Sequence, residues 1–256
     1  MALIERMLEG LLAVVAVLSG LVVLRSRADL DGRNHELWQL IRSRRFPIVA
    51  VVVTGILLAG CLAQAAWPGT LDALRNDGSA QWWRGLTAPF VQDGGMTGAI
   101  FNLVSALVVL ALSEWIWGRW ITVLVWLAGA WAPIGDVVAL FGYHTTETQQ
   151  AAYAAGSSGA TYTVAAGLCV ALIVWGGRRE RWAGAIGPVV AAAMIALAND
   201  GHSVMFLAGT VIAILVRFVT LAARIRLPLE RQRSPRSEPV SALSQDTGRS
   251  GSRRRR

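Results

Sequence analysis

The sequence predicts an all-α protein that crosses a lipid bilayer several times. Three observations lead there. Hydrophobic residues make up 54% of the 256-residue chain and charged ones only 16%, against roughly 25% charged in an ordinary soluble domain. Apolar runs long enough to span a ~30 Å hydrocarbon core as helices fall at 8–24, 46–66, 97–116, 120–142, 155–176, 182–199 and 201–222. The arginines gather in alternate connections, the distribution found in cytoplasmic loops of membrane proteins.

Taken in order, the runs fit one threading. The first, 8–24, lacks the basic opening of a signal peptide, and no clear small-residue cleavage site precedes the arginines after it. It is expected to remain as a helix with its N-terminus outside. Arg25, Arg27, Arg33, Arg42, Arg44 and Arg45 place the next connection inside. Run 46–66 returns outward to the long external loop, 67–96. Trp82, Trp83, Arg84 and Phe90 make that loop too aromatic for a free linker, and they suit structure lying in the interface. Run 97–116 leads inward to the short turn at Arg119, and 120–142 leads out to a connection without arginine. Run 155–176 leads in to Arg178, Arg179 and Arg181; 182–199 and 201–222 complete the set. Beyond about 228 the chain is rich in Arg, Ser, Pro and Gln, the composition of a disordered tail. The expected organisation is an N-terminal helix with a basic linker (1–45), a membrane domain (46–224) and an Arg-rich cytoplasmic tail (225–256).

The formal net charge is +8, and the chain has arginine but no lysine. These arginines sit between apolar runs and in the tail, not on one amphipathic face. They fit positive-inside anchoring against the lipid bilayer rather than nucleic-acid binding. Cys61 and Cys169 lie inside apolar runs, where they are expected as small buried hydrophobes without a disulfide. His35, His144 and His202 are far apart and have no metal-ligand spacing, so no cofactor is expected.

In a membrane protein, polar residues inside the spans are the informative ones. The candidates are Asn102, Glu114, Asp136, Ser157, Ser158, Asp200 and His202. The topology gives three of them a shared depth. Runs 97–116, 155–176 and 201–222 all enter from outside, and Asn102, Ser158 and His202 lie within their first two turns. At 1.5 Å per residue each sits on the order of 10 Å or less below the outer end. A nucleophile, a base and an amide donor at one depth can meet in one water-accessible cavity.

Each also has a plainer explanation. Gly156-Ser157-Ser158-Gly159 allows an irregular helix entry, whose free N–H groups suit an oxyanion, but small residues also serve helix packing. His202 can be a general base or an interhelical hydrogen bonder, and Asn102 a donor or helix glue. Glu114, near Arg119, fits a carboxylate at the cytoplasmic end of its helix. Asp136, after Pro133 and Gly135, suits a kinked helix beside a hydrated cavity.

Together these residues resemble the rhomboid intramembrane serine proteases, over the six spans from about 46 to 222, with 8–24 as an N-terminal addition. Trp83-Arg84, followed by Thr87 and Phe90, resembles the Trp-Arg signature of the family's first external loop. Phe101-Asn102-Leu103, with Glu114 and Gly118 beyond, resembles its second core helix. Gly156-Ser157-Ser158-Gly159 resembles the Gly-x-Ser-Gly motif and selects Ser158 over Ser157. Tyr162 matches the aromatic that packs on the catalytic imidazole, and His202 with Gly209 resembles the catalytic-histidine helix. The resemblance implies a rhomboid-like bundle of six transmembrane helices plus one. It implies a Ser158–His202 dyad with no acidic third member, His202 being oriented by packing on Tyr162. The oxyanion would be held by the Ser158 N–H and the Asn102 amide. Implied substrates are transmembrane proteins with a weakly helical segment near the outer face, cut beside a small residue. The protease would sit in the cell membrane with its tail cytoplasmic and its active site opening outward.

Two positions depart from the family pattern. Gly98 stands where a histidine usually precedes the Asn, removing an oxyanion donor or structural hydrogen bond. Met205 stands where a glycine usually follows the catalytic histidine, putting bulk between helices expected to pack closely. The alternative function is a catalytically silent rhomboid-like protein that binds transmembrane helices. A transporter would show internal repeats and paired intramembrane charges; neither is seen.

Overall fold

The structure, a computed structural model, describes residues 2–30, 37–75, 83–92, 94–130, 156–198 and 201–233. Every regular element among the described residues is helical. The elements are α1 (Ala2–Leu30), α2 (Leu37–Arg42), α3 (Ile48–Ala66), α4 (Thr70–Leu74), α5 (Arg84–Thr87) with a 3-10 turn at Ala88–Phe90, α6 (Gly95–Trp117), α7 (Arg119–Ala130), α8 (Ser158–Trp175), α9 (Arg178–Ala198) and α10 (Gly201–Arg233). Six of them, α1, α3, α6, α8, α9 and α10, are long and apolar enough to cross a membrane. The chain is thus a multi-pass, all-helical membrane protein in its described part. The run at 120–142 is represented by α7 as far as Ala130; its remainder, with Asp136, lies outside the described residues, as do Trp82, Asp200, His35 and His144.

Residues 1–216 form one compact unit. Burial ranks its helices. Within the apolar window of α8, 72% of residues are buried, against 17% to 33% in the other five spans, so α8 is the central helix. Around it pack α1, α6, α7 and α9. Leu110, Leu168, Cys169, Met194, Phe206, Leu12 and Leu24 fill the core between them. On α3 the pattern inverts: Val51, Val52, Ile56, Leu58 and Leu62 are exposed while Ala50 and Leu57 are buried. An apolar surface of that kind suits contact with hydrocarbon. Cys61 and Cys169 are both free thiols.

Polar anchors fix the ends of the helices. Glu114 is 5% exposed at its side chain. It accepts from the Val49 N–H at 2.8 Å and from Arg119 Nε at 2.9 Å, filling a donor that the start of α3 leaves open. Trp115 Nε1 donates to the Arg45 carbonyl at 2.8 Å beside it. α6 turns into α7 at Gly118, whose φ of +90° suits glycine. At the same end, Ser26 on α1 donates to Glu180 on α9 at 3.2 Å. α1 therefore runs antiparallel to α9 and parallel to α8.

The C-terminal helix overruns its expectation. α10 continues past 222, and past 224 where the tail was expected to begin, as far as Arg233. Most residues of 222–233 are Ala, Leu, Arg, Glu and Gln, all good helix formers. Residues 234–256 lie outside the described residues. Residues Arg217–Arg256 form a second unit, where Thr220 Oγ1 donates to the Arg217 carbonyl at 2.9 Å.

Candidate active site

Helix starts converge at one end of the bundle. Ser158 is the first residue of α8, His202 the second of α10, and Asn102 lies two turns into α6. His202 Nε2 and Ser158 Oγ are hydrogen-bonded at 2.9 Å. The neighbouring Ser157 faces elsewhere: its hydroxyl is buried with no hydrogen-bond partner among the described residues, while its carbonyl accepts the Thr161 N–H at 2.9 Å. Only one of the two serines meets the imidazole, and it is Ser158.

The close approach of α8 and α10 makes that contact possible. Thr163 Oγ1 lies 2.9 Å from the Gly159 carbonyl and 3.2 Å from the Met205 carbonyl, tying the helices together. Gly209 leaves room for the backbone of α8 two turns below His202. Met205, expected to obstruct this packing, is accommodated: its Cγ lies 3.5 Å from where a Gly159 Cβ would stand, an ordinary contact.

The imidazole is held from two sides. Tyr162 packs against it with ring centroids 5.3 Å apart. Packing is not its only support, which corrects the expectation of a histidine with no acidic partner. Glu9 Oε1 lies 2.9 Å from His202 Nδ1. The Glu9 carbonyl also accepts the Tyr162 hydroxyl at 2.9 Å, so one residue of α1 binds both members of the aromatic pair.

Gly156 shapes the approach to Ser158. Its φ of +112° is a conformation few side chains tolerate. A Cβ there would stand 3.7 Å from Ser158 Oγ and 3.8 Å from Asn102 Nδ2. Ser158 Oγ and the Asn102 amide therefore border one small space, which the missing side chain leaves open. As the first helical residue, Ser158 has an N–H without an intrahelical acceptor.

Asn102 is oriented by Gln92, whose Oε1 accepts one Nδ2 proton; no partner for the other is seen among the described residues. Gln92 is 5% exposed. It is pinned by a reciprocal pair of bonds to Gln64 on α3: Gln92 N to Gln64 Oε1 at 2.9 Å, and Gln64 Nε2 to the Gln92 carbonyl at 2.6 Å. The loop ahead of it also holds the strand of chain entering α8, since the Ala88 carbonyl accepts the Gly156 N–H at 2.9 Å. Trp83 and Arg84 build this loop. Arg84 stacks over Trp83 at 5.3 Å and donates to the carbonyls of Asp72 and Arg75 at 3.2 and 3.1 Å. Thr87 Oγ1 donates to the Leu74 carbonyl at 2.8 Å.

Of the residues singled out from sequence, Ser158, His202, Asn102, Tyr162, Gly156 and Gly159 lie in or beside this site. Gly209 supports it from below. Glu114 is twelve residues beyond Asn102, about 18 Å along the helix, and belongs to the other end. Glu9 and Gln92 were missed. Glu9 carried a usable signal, a carboxylate inside an apolar run; Gln92, in a loop full of polar residues, carried none. No protein-family model, curated protein or solved structure matches the chain.

Chemically, the arrangement pairs a hydroxyl with a base that can take its proton, beside two N–H donors. His202 and Glu9 side chains are 29% and 25% exposed, enough for water to reach them. That is the equipment of acyl transfer through a serine.

Proposed function

We propose that this protein is an intramembrane serine protease of rhomboid type, hydrolysing peptide bonds in or near transmembrane segments. The observation that carries the reading is the 2.9 Å bond between His202 Nε2 and Ser158 Oγ at the end of two apolar helices. Serine and histidine so placed in a membrane are costly unless used or fully paired. The order and spacing of Trp83-Arg84, Asn102, Gly156-Ser157-Ser158-Gly159, Tyr162 and His202 add the family resemblance.

In this mechanism His202 Nε2 takes the Ser158 proton as Oγ attacks the scissile carbonyl carbon. The carbonyl oxygen becomes an oxyanion bound by the Ser158 N–H and the second Asn102 Nδ2 proton. Collapse breaks the C–N bond, and the His202 proton passes to the leaving amine, giving an acyl-enzyme on Ser158. Water, deprotonated by His202, attacks the ester; the product acid leaves and the proton returns to Ser158 Oγ. The family resemblance implies that the substrate is a membrane-embedded helix. Its scissile segment must unwind, since a helical peptide bond is shielded by its own turn.

The test is cleavage of transmembrane model substrates in proteoliposomes. Cleavage by the wild type and none by Ser158→Ala or His202→Ala supports the proposal. Wild-type protein that is folded and binds membrane helices without cutting any of them overturns it in favour of a silent binder.

A further inference from the structure

We propose that Glu9 is the third member of the site, a positioning residue that makes the N-terminal helix α1 part of the catalytic machinery. This rests on the serine-protease reading above and extends it from a dyad to a Ser158–His202–Glu9 relay.

The geometry has three parts. Glu9 Oε1 is 2.9 Å from His202 Nδ1, while Nε2 of the same ring is 2.9 Å from Ser158 Oγ. The two ring nitrogens thus face a carboxylate and a hydroxyl. A carboxylate only accepts, so Nδ1 carries a proton, and in the neutral ring Nε2 then holds the lone pair. That is the tautomer a general base for Ser158 requires; the other would point an N–H at the serine.

The carboxylate also acts when the ring takes the serine proton. The imidazolium then bears a positive charge in a partly desolvated site, where an anion at hydrogen-bond distance stabilises it far better than water would. In this role Glu9 orients the ring and balances its charge without taking the serine proton.

The third part is how α1 is held. The Glu9 carbonyl accepts the Tyr162 hydroxyl at 2.9 Å. Lower down, Gly20 lets Leu112 and Leu168 close on the helix, their nearest atoms 3.2 and 3.3 Å from where its Cβ would lie. Neither anchor uses the Glu9 carboxylate. The side chain can therefore be altered while the helix stays seated, and a carboxylate at the end of an apolar helix has no structural role that these anchors leave unfilled.

The experiment compares Glu9→Gln and Glu9→Asp with wild type in the full-length protein. The readouts are kcat and KM on one transmembrane substrate, the rate of fluorophosphonate labelling, and thermal unfolding to normalise for folded protein. Glutamine keeps the shape but can turn an N–H toward Nδ1 and carries no charge. A loss in kcat on the order of 10²–10⁴-fold is expected, with KM changed less than about threefold and labelling slowed in parallel. Aspartate keeps the charge on a shorter arm and should recover at least about tenfold of the loss, whatever either change does to stability. Folded Glu9→Gln with wild-type kcat overturns the assignment and leaves the dyad standing. Equal defects in Glu9→Gln and Glu9→Asp also overturn it, because the charge is then unused. A wild type that neither cleaves nor labels removes the serine-protease reading itself, and this proposal with it.

Discussion

Gly209 on α10 lies so close to Thr163 on α8 that a Cβ added to it would stand 2.3 Å from the Thr163 carbonyl oxygen and 2.7 Å from its Cα. No side chain fits there without moving a backbone. Gly209→Ala should therefore push the helices apart, costing about 1–3 kcal/mol and separating His202 from Ser158. Gly159→Ala meets Met205 at 3.5 Å and the Gly129 carbonyl at 3.9 Å, ordinary contacts, and should unfold near the wild-type temperature. Thermal unfolding in detergent, with activity for Gly209→Ala, checks both. A stable, fully active Gly209→Ala would show that this approach does not set the dyad distance.

A second prediction concerns the amide donor. Asn102 is aimed by Gln92 and borders the same small space as Ser158 Oγ. If it binds the oxyanion, Asn102→Ala should lower turnover about a hundredfold, the effect of losing one such donor at ~3 kcal/mol. Gln92→Ala should lower it less, because the amide remains but is no longer aimed. A Cβ at Gly98 meets nothing within 4 Å, so Gly98→His has room to enter and should leave activity unchanged or raise it. A folded and fully active Asn102→Ala would reduce Asn102 to interhelical glue.

Glu114 should matter to stability and not to chemistry. It is buried, satisfies Arg119 and the Val49 N–H, and stands about 18 Å from Asn102 along α6. Glu114→Ala should lower stability by about 1–3 kcal/mol, through the unsatisfied donors it leaves, while the folded fraction keeps its specific activity. Activity lost without a stability change would contradict that assignment.

Topology can be read directly. In a Cys61→Ser background, a cysteine introduced at Ser79 should react with an impermeant thiol reagent in intact cells, and one at Ser234 only after permeabilisation. The arginines of 25–45 and 176–182 predict this pattern. The reverse pattern would turn the proposed site toward the cytoplasm.

The helical bundle was legible because its determinants are long-range averages: apolar runs mark the spans. The shared depth of Asn102, Ser158 and His202 followed from that threading alone. Glu9 was not legible as a partner of His202, because the two are far apart in the chain and only the packing of the helices brings them together. Met205 was legible as bulk but not as accommodated bulk, since its fit depends on where Gly159 falls across the interface. The far end of α10 outran its apolar run because backbone helicity there needs good helix formers, not hydrocarbon.

The most direct measurement is fluorophosphonate labelling of the purified protein, with the adduct mapped by mass spectrometry, for wild type, Ser158→Ala, Ser157→Ala and His202→Ala. The hydrogen bond from Ser158 to His202, and the burial of Ser157 away from it, predict an adduct on Ser158 in wild type and Ser157→Ala. Ser158→Ala should show none, and His202→Ala labelling slowed by at least about a hundredfold. An adduct on Ser157 that survives Ser158→Ala, or no adduct on any serine of the folded wild type, would contradict a Ser158-centred protease.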